Sequence, residues 1–253
     1  MKRIALLFAL AVSFAHADEN EWRPPFITTP ADVVERMLQV AETRADDLVL
    51  DLGSGDGRIV IAAAQQFGAR GVGIELDAAL VEKSRRNAEA AQVSSRVRFI
   101  QGDVLSADIS RATVVTVYLL PALMAKLQTR FIEELAPGTR IVSHAFTMAG
   151  WLPDHSETVK LTTRHRGQGD ESRVHLWIVP ANVRGVWRNA EMQVRIEQNY
   201  QSVEIEGASR ATLSGRNIAW EMGGARFSGR VDGDRMTGEM FVMGTSRPFA
   251  LTR

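Results

Sequence analysis

The sequence predicts an α/β fold with a doubly wound, mostly parallel sheet, followed by a small antiparallel β domain. Two observations carry this prediction. Strand-like and helix-like segments alternate from residue 48 to residue 138, as a parallel sheet with crossover helices requires. Beyond Pro180 the segments become short and alternate apolar and polar residues with period two, which is typical of antiparallel strands. We therefore expect domains at residues 18–180 and 181–253, a division that 253 residues can accommodate.

A glycine-rich turn follows the first predicted strand. Leu48–Asp51 runs into Gly53-Ser54-Gly55-Asp56-Gly57, and an apolar helical segment, Ile59–Ala64, comes next. Glycines at such a turn let a ligand approach the main chain, and amides at the helix N-terminus can meet an anion. The dinucleotide fingerprint G-x-G-x-x-G would place its third glycine at position 58, where this chain has Arg58. The turn therefore predicts a Rossmann-like ligand site that departs from the dinucleotide pattern.

Asp51 indicates which ligand this turn suits. A carboxylate at the end of the strand repels a phosphate and attracts an ammonium group. S-adenosylmethionine (SAM) carries an ammonium and a carboxylate on its methionine part, whereas NAD brings a pyrophosphate. We therefore interpret the loop as a SAM site.

Two further acids follow the next two strands. Glu75 ends the second predicted strand, 24 residues after Asp51, and an acid about 20 residues along is placed to bind ribose hydroxyls. Asp103 follows the third strand, Val97–Gln101, where it can accept a hydrogen bond from an adenine amino group. The alternative is that all three are ordinary turn or capping carboxylates. Their repetition after three successive strands favours the cofactor site.

Residues 22–180 resemble the class I, seven-strand SAM-dependent methyltransferases. Within them, Pro25–Pro30, the Asp51–Arg58 loop and Val115–Pro121 are similar to segments of the protein-lysine methyltransferases of the ATP synthase c-subunit and adenine nucleotide translocase type. The resemblance implies a seven-strand Rossmann-like methyltransferase sheet with SAM as cofactor. It does not extend to the small β domain.

The resemblance also implies roles for individual residues. Those expected to bind SAM are the loop residues Asp51, Gly53, Ser54, Gly55 and Gly57, then Glu75 at the ribose, and Asp103 with Val104 at the adenine. Tyr118 and Pro121 would lie beside the transferred methyl group as the catalytic residues. Tyr118 could orient or desolvate an amine, or it could be a core aromatic. His144, after the fifth strand, could accept a proton or be structural.

The implied function is a SAM-dependent N-methyltransferase acting on a lysine side chain of a protein, and the lysine rests on the resemblance alone. An NAD-dependent oxidoreductase is a second interpretation, opposed by Arg58 and Asp103. A third is an exported, catalytically silent module that keeps the fold and binds a partner protein through its β domain. The three strand-end acids oppose this third interpretation, and the N-terminal segment favours it.

That N-terminal segment, residues 1–17, predicts a cleaved secretory signal peptide. Lys2 and Arg3 precede the apolar run Ile4–Phe14, and Ala15-His16-Ala17 matches an A-x-A cleavage site. The prediction places the protein in the periplasm or outside the cell, in conflict with the cytoplasmic synthesis of SAM. An N-terminal helix of the fold is the alternative.

The composition of the chain excludes several classes of partner and cofactor. Basic and acidic residues number 30 each, so no basic excess exists to neutralise phosphates and no nucleic-acid partner is predicted. The chain has no cysteine, which excludes disulfides and thiolate chemistry. Its five histidines include no helical H-x-x-x-H pair, so no metal site is predicted.

The β domain, in which Asp232-Gly233 predicts a hairpin turn, is expected to pack on the catalytic domain or on a partner protein.

Local signals set three further expectations. Thr29 and Pro30 predict the cap and the first residue of a helix. In the resembling family, the segment before this helix lies over the cofactor and forms part of the acceptor-lysine entrance. Phe26 belongs to this segment, and the alternative for it is a plain core anchor. Residues 159–163 and 174–179 predict an antiparallel hairpin that closes the first sheet.

Overall fold

The computed structural model describes residues 26–165 and 169–253, which form two sheets. The strands of the first sheet are β1 Leu48–Leu52, β2 Arg70–Glu75, β3 Val97–Gln101, β4 Val114–Val117, β5 Arg140–His144, β6 His155–His165 and β7 Gly169–Ile178. The helices that pack on it are α1 Ala31–Val40, α2 Arg58–Phe67, α3 Ala78–Ala90 and α4 Pro121–Glu134.

The strand order of the first sheet is β3-β2-β1-β4-β5-β7-β6. Strand β7 runs antiparallel to β5 and β6, and the other neighbours pair in parallel. The carboxyl ends of β1 to β4 therefore meet at one edge, where the chain order reverses between β1 and β4. Open α/β sheets bind ligands at such a switch point. The predicted doubly wound, mostly parallel seven-strand sheet with its closing hairpin is confirmed.

Apolar side chains cover both faces of this sheet. Helices α1, α2 and α3 bury residues such as Met37, Val60 and Val81 on one face. Helix α4 buries Leu127 and Phe131 on the other face. Because helices occupy both faces, the strand ends are the part of the sheet that a ligand can reach.

The start of α1 differs from the prediction. The helix begins at Ala31 with Pro30 at the N-cap, and no side chain caps it. The Thr29 hydroxyl instead lies 3.1 Å from Nδ1 of the buried His144. The capping signal in the sequence was overridden by a contact between residues far apart in the chain. Thr29 consequently ties the segment before α1 to the end of β5.

The second sheet is antiparallel and has eight strands within the described residues. They are β8 Gly185–Arg188, β9 Gln193–Asn199, β10 Ser202–Ile205, β11 Ala208–Ser214, β12 Asn217–Met222, β13 Ala225–Asp232, β14 Arg235–Val242 and β15 Thr245–Thr252. Each strand pairs with the next one along the chain except between β10 and β11, and β15 returns to pair with β8. Because residues 206 and 207 alone separate β10 from β11, the sheet curls almost into a barrel.

Aromatic residues fill the inside of this curled sheet. Trp220 and Phe227 stack with ring centroids 4.6 Å apart, and Phe249 packs edge-on against both. Trp187 is fully buried in the same cluster. The predicted turn after Asp232 is present between β13 and β14. The small antiparallel β domain is therefore confirmed as part of the fold.

The β domain packs against the first sheet. The Arg216 guanidinium donates to the Pro137 carbonyl at 3.4 Å, and Tyr200 stacks on Trp151. The first sheet ends at Ile178, so the junction near residue 180 falls between the two sheets. The predicted division into residues 18–180 and 181–253 is a proposal that agrees with this arrangement.

The predicted signal peptide, residues 1–17, lies outside the described residues. In the part of the chain that the structure does describe, no helix is long and apolar enough to cross a membrane.

Candidate active site

Asp51, near the end of β1, is a buried acid at the switch point, and only 3% of it is exposed. Its Oδ1 accepts a hydrogen bond from the Thr116 hydroxyl at 2.7 Å. Burial raises the pKa of Asp51 to about 7; the bond from Thr116 opposes this rise, and the nearby charges of Glu75 and Asp56 add to it. A cation bound beside this carboxyl would favour its ionised form. Asp51 is thus suited to the ammonium group of an amino-acid ligand.

Glu75, the last residue of β2, is held in place by two main-chain amides. Its Oε2 accepts from the Gly55 amide at 2.9 Å, and its Oε1 accepts from the Asp77 amide at 3.0 Å. The side chain is half-buried. Each carboxylate oxygen can accept a second hydrogen bond, so capacity remains for ribose hydroxyls.

The amides of the glycine loop are turned into the protein. Those of Gly53 and Ser54 both donate to the Ile74 carbonyl at 2.9 Å, and that of Gly57 donates to the Ser54 carbonyl. Together with the Gly55 amide, they are already hydrogen-bonded. These four loop amides are therefore already used within the protein, and the expectation that amides at the N-terminus of α2 can meet an anion stays a prediction.

Gly53 and Gly55 give the loop a surface without side chains. Both have positive φ angles, 80° and 53°, which favour glycine. A Cβ at Gly53 would lie 2.9 Å from the side chain of Leu119, and one at Gly55 would overlap the ring of Phe26. Phe26 thus lies on the loop and is 46% exposed, so the core-anchor alternative is wrong. Leu119 and Phe26 therefore pack directly on the two glycines.

Ser54 and Gly57 support the loop from behind. Ser54 is 5% exposed and stands over Gly73, where an added Cβ would lie 2.5 Å from its Oγ. Gly57 is the N-cap of α2 with φ 81°, and a Cβ there would lie 2.6 Å from the ring of Phe99. Both residues shape the loop by packing, and of the loop residues Gly53 is the exposed one.

Arg58 has a role that its place in the motif did not indicate. Its guanidinium forms two hydrogen bonds with the Asp56 carboxylate, at 2.8 and 2.6 Å, and a third with the Thr29 carbonyl at 2.9 Å. Burial would raise the pKa of the Asp56 carboxyl, but its ion pair with Arg58 holds that pKa below the ordinary value. Arg58 therefore fastens the segment before α1 to the loop. Only the three-dimensional contact with Thr29 shows this.

Asp103 and Val104 lie beyond the end of β3, as the spacing predicted. Asp103 is exposed, and its Oδ1 accepts a hydrogen bond from the Leu105 amide at 2.9 Å. Val104 packs into the core on the α4 side of the sheet. This leaves the second carboxylate oxygen of Asp103 able to accept from an adenine amino group.

Tyr118 lies just after β4, within an aromatic group. Its ring centroid is 4.0 Å from that of His144 and 6.1 Å from that of Phe146, with planes 32° and 20° apart. Burial raises the pKa of Tyr118 above its ordinary value, so the phenol is neutral at physiological pH. Pro121 opens α4 at its first position and is exposed. The two predicted catalytic residues therefore flank Leu119 on the loop that faces the glycines.

His144 is fully buried, with both ring nitrogens near hydroxyl groups. Nδ1 lies 3.1 Å from the Thr29 hydroxyl, and Nε2 lies 2.6 Å from the Ser172 hydroxyl. These contacts join the segment before α1 to β5 and β7. They favour the structural alternative for His144 over the proton acceptor.

These residues together fit SAM. The buried carboxyl of Asp51 suits the methionine ammonium, Glu75 suits the ribose and exposed Asp103 suits the adenine. Exposed Gly53 leaves the main chain of the loop accessible to a ligand. In contrast, the side chains of residues 26–165 and 169–253 form no group of three or more His, Cys, Asp or Glu that could hold a metal ion.

The fold and the site define a class I, SAM-dependent methyltransferase, and comparison with known proteins gives the family. Residues 51–155 match the family model described as the ANTKMT methyltransferase domain. A protein-lysine N-methyltransferase of Saccharolobus islandicus is 42% identical over 138 residues, which cover 54% of this chain and 84% of that protein. The chain belongs to this methyltransferase family.

Two further relatives extend the comparison. The lysine N-methyltransferase of the ATP synthase c-subunit from Xenopus laevis is 33% identical over 60% of this chain, and the match spans 66% of that protein. The structure of an RNA methyltransferase from Salinibacter ruber with S-adenosyl-L-homocysteine shares 50% identity at a TM-score of 0.56. The match covers 62% of this chain and 96% of the Salinibacter ruber chain. The family match ends at residue 155, before the β domain begins. The chain is thus an enzyme of the SAM-dependent class, and the NAD interpretation finds no support.

Proposed function

We propose that this chain is a protein-lysine N-methyltransferase. The observation that carries the proposal is the placement of Tyr118: a neutral, half-buried phenol lies at the carboxyl end of β4, beside the glycine loop and against two other rings. The names of its relatives support the lysine: the proteins from Saccharolobus islandicus and Xenopus laevis are both lysine N-methyltransferases.

The residues at this end of the sheet have a limited chemical task. Bound SAM supplies an electrophilic methyl group and a neutral thioether leaving group. The amine must reach the methyl carbon with a free lone pair, so its ammonium proton has to leave before the new N–C bond forms as the S–C bond breaks. Apolar and aromatic walls at Tyr118, Leu119 and Phe146 disfavour the ammonium form by desolvation. The neutral Tyr118 hydroxyl can accept a hydrogen bond from the amine and aim its lone pair.

RNA is the second acceptor to be tested, because the Salinibacter ruber relative is named an RNA methyltransferase. The equal numbers of basic and acidic residues in this chain argue against it, since RNA binding draws on an excess of positive charge. The apolar and aromatic surroundings of Tyr118 instead suit an amine in its neutral form.

The experiment offers the purified chain methyl-labelled SAM together with protein and RNA extracts of the native cell. We expect label in protein, resistant to RNase and located on lysine by mass spectrometry. The Glu75→Ala variant serves as the control that should lose labelling. Label confined to RNA would overturn the lysine proposal while leaving the methyltransferase class intact.

A further inference from the structure

We call the surface formed by Tyr118, Leu119 and Phe146 the acceptor side of the site. The loop that follows β5, residues 145–154, connects this acceptor side to the β domain. It begins directly after His144 and carries Phe146, whose ring faces Tyr118. At its other end, Trp151 is almost fully buried, and its carbonyl accepts a hydrogen bond from the Trp177 indole at 2.9 Å. The position of this loop therefore sets where Phe146 stands against Tyr118.

Tyr200, in the turn between β9 and β10, reaches this loop from the β domain. Its ring stacks on Trp151 with centroids 5.0 Å apart and planes 4° apart. Its backbone has φ 54°, which L side chains rarely adopt, so the turn that presents the ring is a constrained one. Its neighbour Gln201 donates to the Leu152 carbonyl at 2.6 Å.

Gln128 of α4 completes the junction. Its amide nitrogen donates to the Tyr200 hydroxyl at 2.7 Å and to the Ala149 carbonyl at 2.9 Å. Gln128 is buried, and one amide group thus links the β domain to the loop after β5. Helix α4 itself starts at Pro121, directly after Tyr118 to Leu120. Both chain segments that leave the acceptor side are consequently joined at Tyr200.

We propose that the β domain positions the acceptor side of the active site, with Tyr200 as the positioning residue. By packing on Trp151 and bonding Gln128, Tyr200 holds the loop 145–154 and α4 in one arrangement, and so fixes Phe146 against Tyr118. The SAM-binding residues Asp51, Glu75 and Asp103 lie on the other strands and are not part of this junction. The inference rests on the proposed acceptor side, and it does not depend on whether the acceptor is lysine or RNA.

Hydrogen exchange of the full chain, read by mass spectrometry, tests the junction without any acceptor. The variants are Tyr200→Ala and Tyr200→Phe, and Phe241→Ala is the control, because it removes a half-exposed ring elsewhere in the β domain. In Tyr200→Ala we expect peptides from residues 145–153 to exchange about tenfold faster, with β1 and the glycine loop unchanged. Tyr200→Phe, which keeps the stacked ring, should lie between this variant and the wild type.

The second measurement is a comparison of KM and kcat. With a labelled acceptor from the native cell, Tyr200→Ala should raise the acceptor KM or lower kcat by about tenfold, and leave the SAM dissociation constant within about twofold. Unchanged exchange in residues 145–153 would overturn the proposal. The proposal would also be overturned if exchange in Tyr200→Ala became faster in β1 and the glycine loop by the same factor as in residues 145–153, because that would show a general loss of stability. If Tyr200→Ala does not fold, the test rests on Tyr200→Phe. The proposal is then overturned if this variant has the same exchange rates and the same kinetics as the wild type.

Discussion

The Glu75 carboxylate accepts a hydrogen bond from the Gly55 amide at 2.9 Å, so the acid at the end of β2 also sets the shape of the glycine loop after β1. The two strands are neighbours in the sheet, and their ends meet because they run parallel. Glu75 therefore acts twice. It closes the loop from one side, and we propose that its remaining acceptor capacity binds the ribose of SAM.

Replacing Glu75 with alanine should weaken SAM binding by about 1.5–3 kcal/mol, or about 10- to 150-fold, because a charged hydrogen bond is lost. Calorimetry with SAM, S-adenosylhomocysteine and NAD measures this. Alanine at the exposed Glu89 of α3 is the matched control. An affinity within about twofold of the wild type would show that Glu75 does not touch the cofactor.

Burial raises the pKa of Asp51 to about 7, so SAM binding should depend on pH when the Asp51 carboxyl binds the methionine ammonium as we propose. The methionine ammonium favours the carboxylate, so SAM binding should release a proton from Asp51 below pH 7. Affinity should then rise by up to about tenfold per pH unit as the pH approaches 7. Titration calorimetry in buffers of different ionisation enthalpy counts the protons, and Asp51→Asn should show no such release.

The same group affects the stability of the cofactor-free protein. Its folded pKa of about 7 exceeds the ordinary value of 3.8, so the folded state binds more protons between these two pH values. The contribution of Asp51 to stability should therefore be largest at low pH and fall as the pH rises from about 4 to 7. Denaturation across this range should show a shallower decline for Asp51→Asn. An identical pH profile in the variant would contradict the assignment.

Replacing Tyr118 with phenylalanine separates its hydroxyl from its ring. The ring contacts with His144 and Phe146 are kept, and the hydrogen bond to the amine is lost. We expect kcat to fall about tenfold, with the SAM dissociation constant unchanged, because the proposed role of the hydroxyl is toward the acceptor and not toward SAM. A kcat equal to that of the wild type would assign Tyr118 to packing, which is the alternative role that its sequence context allows.

Sequence patterns were sufficient for the sheet and for the acids at its strand ends. Asp51 and Glu75 lie at the ends of β1 and β2, Asp103 follows β3, and parallel strands bring such ends to one edge. The glycine turn was equally local, since Gly53 and Gly55 are only two residues apart in the chain. These features depend on neighbours in sequence and on a known strand order, so they could be predicted.

Other features could not be predicted, because their partners are distant in the chain. Thr29 looks like a helix cap, yet it contacts His144, which lies 115 residues away. The inward-facing amides of the glycine loop depend on Ile74 in the next strand. Likewise, nothing near Tyr200 in the sequence indicates that its hydroxyl meets Gln128. Such contacts form only when the strand order and the loop paths are known together.

Processing of the N-terminus stays a prediction. The Ala15-His16-Ala17 site predicts a mature chain that begins at Asp18, because signal peptidase cleaves after small residues at these positions. Intact-mass measurement on protein from the native cell, with fractionation of its compartments, checks this. A chain that keeps Met1 and is found in the cytosol would contradict it and would remove the conflict with SAM supply.

The last prediction concerns which of the two sheets holds the cofactor site. A chain ending at Ala181 should still bind SAM, because Asp51, Glu75 and Asp103 all belong to the first sheet and its loops. Removal of the β domain uncovers Trp151 and Gln128, and each 100 Å² of exposed apolar surface should cost about 2.5 kcal/mol of stability.

Two readouts therefore have to be taken from the shortened chain. Circular dichroism reports whether the first sheet is folded, and calorimetry reports whether it binds SAM. We expect a lower melting temperature with SAM affinity within about tenfold of the full chain, because the lost contacts lie on the acceptor side. A chain that folds but does not bind SAM would contradict the prediction, since it would place part of the cofactor site in the β domain.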